Sequence, residues 1–431
     1  MHRIELAYGR AGLALELTRE ADVVEPRYVQ GLSDEVEAIR SALRSPSAGQ
    51  PLRDLVPRGA SVGISVCDVT RPFPGRRILP ILLDELHACG AGAITLFIAT
   101  GTHRACTTDE LLQMLGSHVL DACAVVQHDA FDRASHRQVG TVLGTATPAL
   151  VLGEFLDQDV RITTGFIEPH FFAGFSGGPK MVAPGLAAIE TVLDLHSAAR
   201  IGDPCATWGV TEGNPVHDAV RAITARVGVS FNLDVTLNRD HQVTRVFSGE
   251  LFGSHAAGCV FARATAMAEV SCAYDVVVTT NSGYPLDQNL YQTVKGISAA
   301  AQIVKPGGSI VVASECSDGL PSHGGYADLL RAGRDPESFL AQLAAPGFSV
   351  HDQWQVQVQA QIQRKAHVFV KADGLTPEQL RAAWFEPIDD LAGCIAARLQ
   401  AAGAHAKLAV LPQGPQTIPY ITAHHSSGPQ V

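Results

Sequence analysis

Short apolar runs rich in Val and Ile, each breaking into a polar or glycine-rich turn, recur along the chain at 60–70, 93–100, 123–128, 160–165 and 229–237. Segments with helical spacing separate them. Continuous apolar runs alternating with helices predict parallel strands buried on both faces. Leu82, Leu83 and Leu86, closed by Gly90, fit a helix with a glycine cap. Thr108, Asp109 and Glu110 ahead of Leu111, Leu112 and Leu115 fit another, its acidic residues facing the positive helix end. A second series opens near Tyr274, with runs at 276–280, at 309–313 after the Lys305-Pro-Gly-Gly turn, and at 367–371. The alanine-rich stretch 261–270 reads as a helical connection, and 408–411 as a return strand.

The expected fold is therefore α/β: two α/β domains with mainly parallel sheets and an active-site cleft between them. Residues 1–265 form the N-terminal domain, 274–405 the C-terminal domain, 406–422 the returning segment and 423–431 a polar, disordered tail.

Composition narrows the function classes. The chain is 46% hydrophobic and only 17% charged, with a net charge of −11 and no basic run, so nucleic acid is not an expected partner. Its nine cysteines are odd in number and form no C-x-x-C pair, which argues against a disulfide framework or a structural zinc site. No signal-like start and no membrane-length apolar run appears, so a soluble cytoplasmic enzyme is expected, without a membrane partner.

In open α/β sheets, ligands bind beyond the carboxyl ends of the strands. After the first run stand Asp68, Val69, Thr70 and Arg71, followed by Pro72 and Pro74, a stiff turn whose guanidinium suits a carboxylate or phosphate. A surface pair of Asp68 with Arg71 fits the same residues. After the second run comes Thr100-Gly101-Thr102-His103-Arg104, where His103 is placed for acid/base work or for a structural role. After 160–165 comes Glu168-Pro169-His170, then Phe172-Ala173-Gly174-Phe175-Ser176-Gly177-Gly178-Pro179-Lys180. This is not a P-loop, because Pro179 separates Gly178 from Lys180 and Met181 replaces the metal-binding hydroxyl. Gly90-Ala91-Gly92 likewise fails as a dinucleotide fingerprint, with Thr95 at the third glycine. Lys180 is either a solvated charge or a point of covalent attachment. His196 stands without neighbouring ligands, so a metal there needs most of its coordination from a cofactor. In the second series, Tyr291, Gln292 and Lys295 share one helical face, either a polar surface or a carboxylate site.

Taken together, these segments resemble the nickel-pincer nucleotide-dependent lactate racemase family. The resemblance rests on Asp68-x-x-Arg71-Pro72, Gly101-Thr102-His103-Arg104, Glu168-Pro169-His170 with the run to Lys180, His196, and Tyr291-Gln292-x-x-Lys295-Gly296. It implies a 2-hydroxy acid racemase or epimerase carrying a pyridinium-3-thioamide-5-thiocarboxylic acid mononucleotide, joined to Lys180 through the thioamide and installed by cofactor-synthesis proteins. Ni(II) would be held by cofactor sulfurs and a ring carbon, with His196 as the protein ligand. Asp68, Val69, Thr70 and Arg71 would bind the cofactor. Arg71, Tyr291, Gln292, Lys295 and, on thin sequence context, Trp354 would bind the substrate.

By the same resemblance, His103 and His170 are the acid/base pair, one for each enantiomer. Hydride would pass to the cofactor and return to the other face of a 2-keto acid. Lactate and larger 2-hydroxy acids both fit, and Phe171, Phe172 and Phe175 either shape the substrate pocket or pack it. Two other readings are a non-catalytic carrier or sensor of the nucleotide and an NAD-dependent dehydrogenase. The paired histidines disfavour the first and the failed fingerprint the second.

Overall fold

A computed structural model describes residues 2–321, 324–345 and 347–421. The chain divides into two compact units, Tyr28–Thr265 and Met1–Arg27 with Ala266–Val431. Among the described residues, no helix is long and apolar enough to cross a membrane.

The sheet of the first unit has six strands in the order Val243–Gly249, Phe231–Leu237, Val160–Phe166, Val62–Cys67, Ile94–Ala99, Ala124–Gln127. All neighbours pair in parallel except the first two. Val62–Cys67 is buried along its whole length, and its one polar side chain, Ser65, is enclosed as well and donates to the Met181 carbonyl at 2.7 Å. From this strand the chain steps to Ile94–Ala99 on one side and later to Val160–Phe166 on the other. That reversal opens a crevice beyond the carboxyl ends of the strands, where ligands bind in such sheets. The expected helices form as Gly75–Cys89, capped by Gly90 at φ 78°, and Thr108–Leu115, closed by a capping box between Thr107 and Glu110.

The sheet of the second unit runs Glu386–Pro387, His367–Lys371, Val304–Ala313, Tyr274–Thr280, Leu408–Leu411, Asp22–Val23, parallel throughout. The returning run at 408–411 thus lies between two other strands. Two expectations need correction. The first 27 residues, assigned from sequence to the N-terminal domain, belong to this second unit. Asp22–Val23 pairs with Leu408–Leu411, and Leu6, Leu15 and Leu17 of the opening hairpin pack with Val276, Val311 and Ile395. The stretch 261–270 is not one helix: helix Leu251–Ala266 ends inside it, and strand Met267–Val270 follows, paired with Ile418–Ile421. The tail 423–431 lies outside the described residues.

Candidate functional site

Strands Val62–Cys67 and Ile94–Ala99 run side by side in parallel, with Cys67 opposite Ala99. Whatever follows them therefore meets. Asp68, 4% exposed, lies 2.7 Å through Oδ2 from His103 Nδ1. Its other oxygen, Oδ1, accepts from Thr70 Oγ1 at 2.6 Å and from Thr70 N at 3.3 Å. Arg71 donates to Thr70 Oγ1 at 3.1 Å and to the Thr70 carbonyl at 3.2 Å. The Arg71 donation occupies a lone pair of the hydroxyl, so the hydroxyl proton points to Asp68. The simple Asp68–Arg71 surface pair does not form, and Asp68 serves His103 instead. Burial pushes the Asp68 carboxyl up, but His103, Arg71 and Thr70 outweigh it and hold it below the usual range. An ionised Asp68 accepts a hydrogen bond from His103 Nδ1–H, which keeps the proton on Nδ1 and the lone pair on Nε2. Val69, partly buried, packs against the apolar core.

Beyond Val160–Phe166 the chain makes a tight antiparallel turn, Pro169–His170 against Gly174–Phe175. His170 Nδ1 accepts from the backbone N–H of Ala173 at 3.3 Å and of Phe172 at 3.5 Å. In its neutral form Nε2 therefore carries the proton, the reverse of His103. His196 closes helix Ile189–Leu195 and donates Nδ1–H to the Val192 carbonyl at 2.8 Å, which puts its lone pair on Nε2. A metal-binding imidazole is oriented by this kind of bond. Phe172 links these groups: its ring centroid lies 4.5 Å from that of His170, 5.1 Å from that of His196 and 5.6 Å from Lys180 Nζ. Burial, with a smaller push from Arg71, lowers Lys180 to about 7, so the amine is substantially neutral at neutral pH.

In the second unit, Tyr274–Thr280 leads into helix Leu290–Ala301, whose N-cap Asn289 accepts from Gln292 N. Gly296 lets the helix cross the strand end closely, since a Cβ there would overlap the Thr280 carbonyl. Leu290, Thr293 and Val294 turn inward, while Tyr291, Gln292 and Lys295 stay partly exposed on one face, as their spacing predicts. Trp354, 4% exposed, donates its indole N–H to Tyr291 Oη at 3.1 Å, and Gln355 Nε2 reaches the Tyr291 carbonyl at 2.5 Å. Residues 63 apart in sequence thus form one group.

Sequence reasoning missed two things. It gave Asp68 to the cofactor without its bond to His103, although both follow neighbouring strands. It also left Phe172 between pocket and packing, without its place among His170, His196 and Lys180. No cluster of three or more His, Cys, Asp or Glu side chains able to hold a metal ion occurs among the described residues.

The comparisons with known proteins cover both units. The lactate racemase N-terminal domain matches residues 8–209, and the lactate racemase C-terminal domain matches residues 270–418. A lactate racemase of Thermoanaerobacterium thermosaccharolyticum is 32% identical over 426 residues, covering 97% of this chain and 99% of its own. A lactate racemase of Lactiplantibacillus plantarum is 33% identical over 384 residues, covering 88% and 90%. The solved lactate racemase apoprotein from T. thermosaccharolyticum superposes with a TM-score of 0.91 at 30% identity, covering 97% of this chain and 100% of that one. A crystal structure from Thermotoga maritima, 19% identical with a TM-score of 0.71, covers 92% and 100% and shares the fold. The chain is a racemase-type isomerase, and with both of its domains matched it belongs to the lactate racemase family.

Proposed function

We propose that this enzyme inverts Cα of lactate or a larger 2-hydroxy acid, using a nickel-pincer nucleotide attached to Lys180 and installed by cofactor-synthesis proteins. What carries the reading is the convergence of an amine, a metal-ready imidazole and an acid/base imidazole on the ring of Phe172.

The residues present suit such a group. An amine that is neutral in a large share of chains near pH 7 favours attachment, and an imidazole whose Nδ1–H is engaged offers Nε2 to a metal. Soft sulfur donors from the nucleotide, together with one imidazole, form a ligand set suited to Ni(II). When bound, the group supplies a reversible acceptor for the Cα hydride, so that no carbanion next to a carboxylate has to form.

The chain's own residues handle proton and position. His103 Nε2 is set to accept the substrate hydroxyl proton, with Asp68 stabilising the imidazolium that results. His170 presents Nε2–H on the opposite tautomer. Serving the other enantiomer as a base requires it to give up two long amide contacts. The turn Asp68–Arg71 binds the nucleotide, with Arg71 also toward the substrate carboxylate. Tyr291, Gln292 and Lys295, braced by Trp354, take up that carboxylate.

The test begins with co-expression of the chain and cofactor-synthesis proteins. Expected are a sulfur-containing adduct on the Lys180 peptide by mass spectrometry, nickel near one per chain, and conversion of either lactate enantiomer to the racemate. An unmodified Lys180, from a host that loads a known lactate racemase, would refute the reading.

A further inference from the structure

Asp234 is a carboxylic acid in a place where burial alone disfavours one. It lies in strand Phe231–Leu237, opposite Gly165 in the parallel register, and is 0% exposed. Its Oδ2 accepts from the backbone N–H of Gly178 at 2.9 Å and from Asn232 Nδ2 at 3.0 Å. Its Oδ1 has no hydrogen-bond partner. Gly165 makes the space for it, since a Cβ there would stand 3.0 Å from that oxygen. Asn232 is fixed in its orientation, because its Oδ1 accepts from Thr163 Oγ1 at 2.8 Å. A buried polar atom left without a partner is costly, and a carboxyl is kept there against that cost.

The Gly178 amide belongs to the turn that ends in Lys180. Gly177 and Gly178 adopt left-handed backbone at φ 76° and 48°, angles that other residues reach only with strain. His255 donates Nε2–H to the Ser176 carbonyl of the same turn at 2.9 Å and fills the space a Gly178 side chain would need. An acid on one amide and an imidazole on one carbonyl thus grip the segment between Ser176 and Lys180.

We propose that Asp234 is a positioning residue for Lys180, holding the Gly178 amide so that the turn presents its amine to the nucleotide during attachment. The proposal rests on the reading of Lys180 as the attachment point. In that step a C–N bond forms between Nζ and a thiocarboxyl carbon while the carbon–oxygen bond breaks. The oxygen leaves as water with one amine proton and the thioacid proton, and nothing is oxidised or reduced. Asp234 touches none of these atoms. Burial raises its carboxyl to about 7, so that near neutrality a large share of it is protonated, a form close in shape and bonding to an amide.

The experiment follows from that likeness. Asp234→Asn keeps an oxygen toward Gly178 and Asn232, whereas Asp234→Ala removes it. Both variants and the parent chain are co-expressed with the cofactor-synthesis proteins, the adduct on Lys180 and the nickel per chain are followed with time, and folding is checked by circular dichroism. The expected result is loading of Asp234→Asn like the parent and loading of Asp234→Ala slowed on the order of a hundredfold, the scale of a roughly 1 Å misplacement. Equal loading of both variants overturns the proposal, as does failure of Asp234→Asn to the same degree as Asp234→Ala.

If Asp234→Ala does not fold, His255→Gln against His255→Leu repeats the comparison at the Ser176 carbonyl, with the same expected split. If even the parent chain does not load, the attachment reading falls. The grip is then judged on the apoprotein by acetylation of Lys180 with an N-hydroxysuccinimide ester. Parent and Asp234→Asn should react alike near neutral pH and Asp234→Ala more slowly, and equal rates in all three overturn it.

Discussion

Asp68→Asn should harm the enzyme more than Asp68→Ala. In the native arrangement Arg71 donates to Thr70 Oγ1, Thr70 Oγ1 and N both donate to Asp68 Oδ1, and Asp68 Oδ2 faces His103 Nδ1. An asparagine must place its oxygen toward the two Thr70 donors, so its NH2 group points at His103 Nδ1. That forces the proton of the neutral ring onto Nε2, and the base disappears. Loss of general-base catalysis is worth about 10²–10⁴-fold, or roughly 3–5 kcal/mol of barrier at 1.36 kcal/mol per tenfold. Alanine removes the orienting carboxylate but imposes no wrong tautomer, so it should stay about tenfold more active than asparagine. The assay is the initial rate of lactate inversion from each enantiomer, divided by the fraction of chains carrying the Lys180 adduct, so that any effect of Asp68 on loading is removed. Because the enantiomers have equal free energy in water, kcat/KM must fall equally in both directions. An asparagine variant as active as the alanine variant would falsify the tautomer argument.

His196→Ala should keep the Lys180 adduct but lose nickel, measured by mass spectrometry and metal analysis on one sample. Retained nickel would remove His196 as the ligand. Trp354→Phe deletes the indole bond to Tyr291 Oη, worth about 1 kcal/mol, so KM for lactate should rise about fivefold with little change in kcat; an unchanged KM counts against the carboxylate group in the second unit. The apoprotein should also lose stability as pH falls from 7 to 5. Burial, the largest influence on each, lowers His128 to about 3 and His217 and His255 to about 4. The unfolded chain takes up protons near 6.5 that the folded chain refuses, so stability present above that pH is lost below it. Asp234, raised to about 7, acts in the opposite sense. Three groups against one, at 1.36 kcal/mol per unit, leave a net loss of a few kcal/mol in that window. Thermal melts that coincide at pH 7 and pH 5 would contradict this balance.

Much of the site is legible in the chain because chemistry in a parallel sheet gathers at strand ends. Asp68 follows Cys67, His103 lies just past Ala99, and the segment from Glu168 to Lys180 follows Phe166, so the apolar runs themselves mark where to look. The shared face of Tyr291, Gln292 and Lys295 also follows from helical spacing alone. The failed glycine motifs were informative too, because they turned the reading away from ATP and NAD.

Local pattern does not report which distant segments become neighbours. It could not show that the first 27 residues close the second sheet, since that depends on a two-residue strand finding Leu408–Leu411. Nor could it show that Trp354 reaches Tyr291, or that a buried carboxyl at position 234 grips an amide at position 178. The protonation pattern is the clearest division. The sequence by itself determined that histidines stand at positions 103 and 170, beyond strands, and at position 196. Only the tertiary structure decided which nitrogen of each carries the proton. That choice belongs to the groups on the far side of each ring: a carboxylate 35 residues away for His103, backbone amides for His170 and a helix carbonyl for His196.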